Sequence, residues 1–297
     1  MTPTIFAGPS WNLLSDLQTI LNYGFMRNGF VAGTIIAVMA AVVGYFVVLR
    51  RLAFASEALA HGGFAGATGA VVLGVDVFLG LVAFVSAAGV VIGLLGERLR
   101  GRDVAVGATL TFALALGSFF LSISSKLAGQ ATNILFGNIL AIAPEDVWYV
   151  TFFAVFTLAL MAVIYRPLLF ASLDPEIAAA RGVPVRLLGI GFMVLLGIAI
   201  AASVEVVGIL LIFALLILPA ATAQHITARS GRAIGLSVVV GVLCVWIGLL
   251  AGFYAPYPPS FFITALAFLT YLGVRVLSPG VGSTKRRSAR AKSPCDL

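Results

Sequence analysis

The sequence predicts an all-α protein threaded many times through a membrane, on three observations. Of its 297 residues, 61% are hydrophobic and only 10% charged, against about 25% charged in an ordinary soluble domain. Its apolar residues gather into unbroken runs of the roughly 17–25 residues that a helix needs to cross a hydrocarbon core of about 30 Å. Nearly all of its basic residues fall on one side of the membrane once those runs are threaded in turn. Backbone polar groups have no water to bond inside a bilayer, so runs of this length must be helical.

Residues 1–26 form an amphipathic lead, with Trp11, Leu13, Leu14, Leu17, Ile20 and Leu21 at helical spacing, expected to lie at the outer interface. It lacks the basic n-region and small-residue cleavage site of a signal peptide. The membrane domain occupies 27–277, with nine spans expected near 28–49, 57–75, 77–95, 104–123, 147–165, 187–203, 205–223, 233–253 and 260–277. If the first runs from outside to inside, all of the 18 Lys and Arg except Arg27 and Lys126 lie on the inner side. The positive-inside rule then puts the amino terminus outside and the carboxyl terminus in the cytoplasm. Topology thus accounts for the net charge of +7, and nucleic acid is not a predicted partner. Residues 278–297 form a basic, weakly apolar tail that reads as disordered and drawn to anionic lipid headgroups.

The second span carries the most chemistry. Glu57 and His61 in SEALAHGGFAG are i and i+4, on one helical face. Beside them Ala58, Gly62, Gly66, Ala70 and Gly74 make a stripe of small residues that lets another backbone approach closely. An ionised side chain at membrane depth costs about 2.5–3.5 kcal/mol on insertion scales, so such a pair faces protein or a watery path. Imidazole with carboxylate suits zinc, manganese or iron better than magnesium. The bland alternative is a hydrogen-bonded pair that only fixes packing.

Two later stretches interrupt the hairpin pattern. Residues 124–146 hold an apolar piece too short to span, expected to form a short or re-entrant helix near the outer surface. Residues 173–186, LDPEIAAARGVPVR, predict a two-turn helix on the cytoplasmic face. Asp174 caps it, Pro175 opens it, and Glu176 faces the positive end of its dipole. Gly182 ends it in a left-handed conformation, and Pro184 bars continuation. Short and exposed, it would suit a docking element. Further on, Glu205 stands at the outer approach to VEVVGILLIFALLILPAATA, Pro219 kinks or ends that span, and His225 lies at its cytoplasmic edge. Asp76, Glu145 and Asp146 read as outer-loop acids.

The motifs YGFMRNGFVAG, VGYFVVLRRLAFASEALAHGGFAG, ILFGNILAIAPEDV, LDPEIAAARGVPV and VVGILLIFALLILPAATA occur in this order across residues 23–275. Together they resemble the permease subunits of bacterial zinc, manganese and iron ABC importers, which are type II importers. The resemblance implies a homodimer in the bacterial inner membrane, served by cytoplasmic ABC ATPase subunits and an extracytoplasmic metal-binding protein. It implies no resident cofactor, the divalent metal ion being cargo. It places the ion-contacting carboxylate and histidine on Glu57 and His61, and the coupling helix on Asp174, Pro175, Glu176, Ala179, Arg181 and Gly182. Glu205 and Asn138 become candidates for the cation path or for docking. The chain departs from the common pattern at Glu57, where many relatives have Asp, at Ala65, where many have Pro, and at Asn138, where Asp is frequent.

The chain carries no G-x-x-x-x-G-K-[ST], H-E-x-x-H or G-x-S-x-G, so no ATPase or hydrolase site is nominated. It is read as a transporter subunit and not an enzyme. Cys244 and Cys295 provide no disulfide framework. A permease for a siderophore or haem and a proton-coupled carrier working alone are the competing readings.

Overall fold

The computed structural model describes residues 23–98, 102–123, 137, 139, 142–255 and 257–277. These form α1 Gly24–Leu49, α2 Ala53–Leu73, α3 Val77–Arg98, α4 Arg102–Ile123, α5 Pro144–Leu173, the short α6 Pro175–Ala180, α7 Val185–Val207, α8 Ile209–Ile226, α9 Ser230–Tyr254 and α10 Pro259–Leu277. The lead before residue 23, the tail after 277, Asn138 and most of the expected re-entrant segment lie outside the described residues.

Eight of the long helices are apolar enough to cross a membrane by composition. The exception is α2, whose 21 residues reach about 31 Å but include Glu57, His61 and the four small stripe residues Ala58, Gly62, Gly66 and Ala70. Each boundary has a local cause. The last turn of α1 closes with Arg51 N–H on Val48 O and Leu52 N–H on Val47 O at 2.8 Å, around Arg51 at φ 55°. α2 ends on Gly74 at φ 68°. Asp76 Oδ1 accepts from Leu79 N–H at 3.0 Å and starts α3, while Asp146 Oδ2 accepts from Ala143 N–H at 3.0 Å and starts α5.

Two boundaries differ from the sequence expectation. α5 continues to Leu173 through Arg166 and Pro167, because one missing N–H does not outweigh packing on both sides of it. α7 continues to Val207, so Glu205 stands in its last turn and does not open the next span. The break falls at Gly208, whose φ 78° and ψ 166° only glycine adopts readily.

The core belongs to α1, α7 and α8. α1 packs on α8, α9 and α5, while α8 also packs on α9 and α10. α10, by contrast, buries only 11% of its most apolar window and fits a lipid-facing edge. α2 lies between α3 and α4, and α3 in turn runs along α7. Hydroxyls inside the bundle bond back one turn, as Thr34 does to Phe30 O at 2.6 Å and Ser203 to Ala199 O at 2.8 Å. Gln224 Nε2 donates to Tyr45 O at 2.7 Å and ties α8 to α1.

Candidate functional site

The small-residue stripe of α2 is spent on α3. A Cβ at Gly66 would lie 2.6 Å from Gly80 O and 2.9 Å from Phe84 Cβ, and one at Gly80 would meet the Cβ of Ala70. At Gly62 the Phe84 ring is 3.7 Å away, an ordinary contact. Gly74 does not extend the stripe; it is the left-handed cap of the helix. On another side of α2, Gly117 of α4 accommodates the Phe64 ring, and Phe120 lies over Gly69.

Sealed this way, α2 buries every residue from Gly62 to Ala70. Its N-terminal half has one open strip, formed by Phe54, Glu57 and His61 at spacings of three and four. Glu57 and His61 are half-buried side by side on that strip. His61 Nδ1 is fully enclosed and has no hydrogen-bond partner among the described residues. A pair that only fixed packing would be expected to bond through that nitrogen, which none of the described residues approaches. Among the described residues no group of three or more His, Cys, Asp and Glu is arranged to hold a metal, so one chain brings two donors and no more.

Glu205 is elsewhere. It is exposed at the end of a run of α7 that is otherwise buried, near enough to Asp76 and Asp146 for their carboxylates to act on it through space. From its place near the C-terminal end of α7, it stands on the order of 20 Å along the helix axes from Glu57, near the N-terminal end of α2. The structure therefore does not join Glu205 to the Glu57–His61 pair. Asn138, the other candidate for the cation path, is outside the described residues.

The predicted cap geometry of α6 is present. Asp174 Oδ1 accepts from Ile177 N–H at 3.0 Å, Pro175 opens the helix and Gly182 has φ 80°. Val183 N–H closes on Ala178 O at 3.0 Å. Only Ala178 is buried; Pro175, Glu176, Ala179 and Arg181 are exposed, with the Arg181 guanidinium 5.8 Å from the centre of the Phe170 ring. Sequence reasoning missed the exposed Leu173, Ile177 and Leu187 around this helix. Their signal was available, since apolar residues in a polar loop have no membrane to face. His225 sits half-buried in the last turn of α8, where a cation suits the helix dipole.

A bundle of eight long apolar helices with α2 packed among them and the short exposed α6 at one end defines a multi-pass membrane protein. Comparison with known proteins specifies it. A profile of the ABC 3 transport family matches residues 22–278, and the chain belongs to that family. It is 32% identical to the manganese transport system membrane protein MntC of Listeria innocua over 234 residues, 78% of this chain and 83% of that one. It is 29% identical to the manganese import system permease protein ScaB of Streptococcus gordonii over 272 residues, 91% of this chain and 98% of that one. Among solved structures it matches PsaBC from Streptococcus pneumoniae in complex with Fab, with a TM-score of 0.81 and 28% identity, covering 95% of this chain and 100% of that chain.

Proposed function

We propose that this chain is the permease of an ATP-driven importer for a divalent transition metal ion, with manganese the foremost cargo. The observation that carries the reading is the open strip of α2, where Glu57 and His61 stand half-buried side by side and His61 Nδ1 has no hydrogen-bond partner among the described residues. Burying such atoms without a partner costs free energy, and an arriving cation recovers it. Manganese accepts both imidazole and carboxylate and, of zinc, manganese and iron, leans furthest toward oxygen. The relatives named for manganese support the same choice.

Two donors from one chain leave a metal under-coordinated. The reading therefore includes a second copy whose Glu57 and His61 complete the site across a twofold axis. Loose binding is an asset here, since a deep well would block release. The outer acids Asp76, Asp146 and Glu205 raise the local cation concentration at the mouth. A binding protein delivers the ion there, with the amino terminus outside. A cytoplasmic ATPase engages α6 and supplies the energy.

The test is uptake of radioactive manganese, zinc and iron by a strain lacking its own importers and carrying the whole transporter. His61→Ala and Glu57→Ala should each lower manganese uptake about tenfold or more, as loss of metal-site groups does, with the complex still assembled. Normal uptake in both variants removes the pair from the mechanism. Growth rescue that requires a metal chelate, or transport by the chain alone under a proton gradient, would overturn the reading itself.

A further inference from the structure

α3 and α4 each pack closely on α2 but only lightly on one another. A groove runs between them, holding two cavities of about 380 and 410 Å³ that share Phe84 in their walls. Volumes of this size suit a bound ligand. The one polar side chain on either lining, Thr109, spends its hydroxyl on Ala105 O at 2.8 Å. Whatever fills the groove is therefore apolar along its length. Leu79, Val91 and Phe112 on the rim are exposed, so the groove is open from outside the bundle.

The two ends of the groove differ in charge. The smaller cavity lies between Phe84 and Val91 of α3 and between Ala108 and Phe112 of α4. Toward that end α3 finishes on Arg98 and α4 starts on Arg102, with Asp103 the acid beside them. The larger cavity reaches Leu73, Val75 and Leu79, next to Asp76, whose Oδ1 accepts from Leu79 N–H. Length agrees with charge. From Arg98 back to Phe84, α3 rises about 21 Å. Half a bilayer, headgroups included, is about 20–22 Å thick. The Phe54, Glu57 and His61 strip points about a third of a turn round α2 from Gly66, Gly69 and Leu73, which line the larger cavity. A second copy on the strip and a ligand in the groove thus use separate faces.

We propose that the cavity between Phe84 and Val91 of α3 and Ala108 and Phe112 of α4 seats an acyl chain of an anionic phospholipid. The positive charge of Arg98 and Arg102, at the two helix ends, attracts its phosphate. Basic positions between membrane helices recognise such headgroups. The chain fills the space that α3 and α4 leave between them, ending at Phe84, which lies against Gly62 beside His61. Asp76 disfavours the same phosphate at the other end. The inference holds whichever ion the protein carries.

The experiment uses the full chain with its three tryptophans, Trp11, Trp148 and Trp246, changed to Phe. Phe112→Trp then places one fluorophore on the rim of the smaller cavity. The protein is reconstituted in phosphatidylcholine vesicles containing either brominated phosphatidylglycerol or brominated phosphatidylcholine, whose bromines quench a touching indole. Phosphatidylglycerol should quench at a several-fold lower mole fraction than phosphatidylcholine. Arg98→Gln/Arg102→Gln should remove that preference, while Arg286→Gln/Arg287→Gln in the tail should keep it. Leu79→Trp, at the Asp76 end, should be quenched alike by both lipids. Val91→Trp, on the opposite wall, reads the same contact should Phe112→Trp fail to fold.

Equal quenching by the two lipids at the smaller cavity would mean ordinary lipid contact and overturn the proposal. A preference that survives Arg98→Gln/Arg102→Gln, or that recurs at Leu79→Trp, would overturn it too. Quenching by neither lipid would show the cavity covered by a second copy, and the lipid site would fall.

Discussion

Gly66 and Gly80 show how much a single hydrogen atom in place of a methyl matters in this fold. Each presents backbone to the other, and a Cβ at Gly66 would come within 2.6 Å of Gly80 O. Gly66→Ala should therefore lower the thermal midpoint of the purified protein, at a cost of about 1–3 kcal/mol for overpacking. Gly107→Ala is the control. No atom lies within 4 Å of its added Cβ, and alanine in a helix interior gains about 0.5–1 kcal/mol over glycine. Equal midpoints for the two variants would mean that the α2–α3 contact yields without cost. The Glu57–His61 pair and its stripe were legible in the sequence because four-residue spacing is local information. The partners were not: nothing near Gly66 names Gly80 and Phe84 as the surface it needs. For the same reason the strip was incomplete until the fold put Phe54 in line with the pair.

At the scale of elements, α6 was the most legible piece because everything that defines it lies within nine residues. Asp174, Pro175 and Gly182 each do what their backbone chemistry dictates. Asp174→Ala removes the bond to Ile177 N–H and should cost about 0.5–2 kcal/mol of local stability. Gly182→Ala forces an alanine to φ 80° and should cost about 1–2 kcal/mol, with no clash to blame, since space around it is open. Both should weaken co-purification of the ATPase without lowering permease yield in the membrane. Unchanged co-purification in both would detach α6 from the docking role. The long helices were less legible at their ends. Glu205 seemed to open a span because apolar residues flank it on both sides, and only the backbone conformation of Gly208 reveals where the chain turns.

For the whole molecule, the decisive question is whether one chain or two make the site. Hydropathy marks eight of the nine expected spans among the described residues, because an apolar run of that length is local information. α2 passed on length and failed on composition for the reason that makes it interesting. A lone chain leaves Glu57 and His61 on an open strip, where lipid is a poor neighbour and two donors are too few for a metal. A second copy facing that strip relieves both problems with the same residues. Two permease chains fused in tandem would separate the possibilities. With Glu57→Ala and His61→Ala in one half only, a shared site has lost two of its four donors, and manganese uptake should fall about tenfold or more. If each chain instead carries its own ion along its own path, the fused protein loses only the share owed to the altered half. That result would leave the family and fold untouched, and would move the ion away from the axis between the copies.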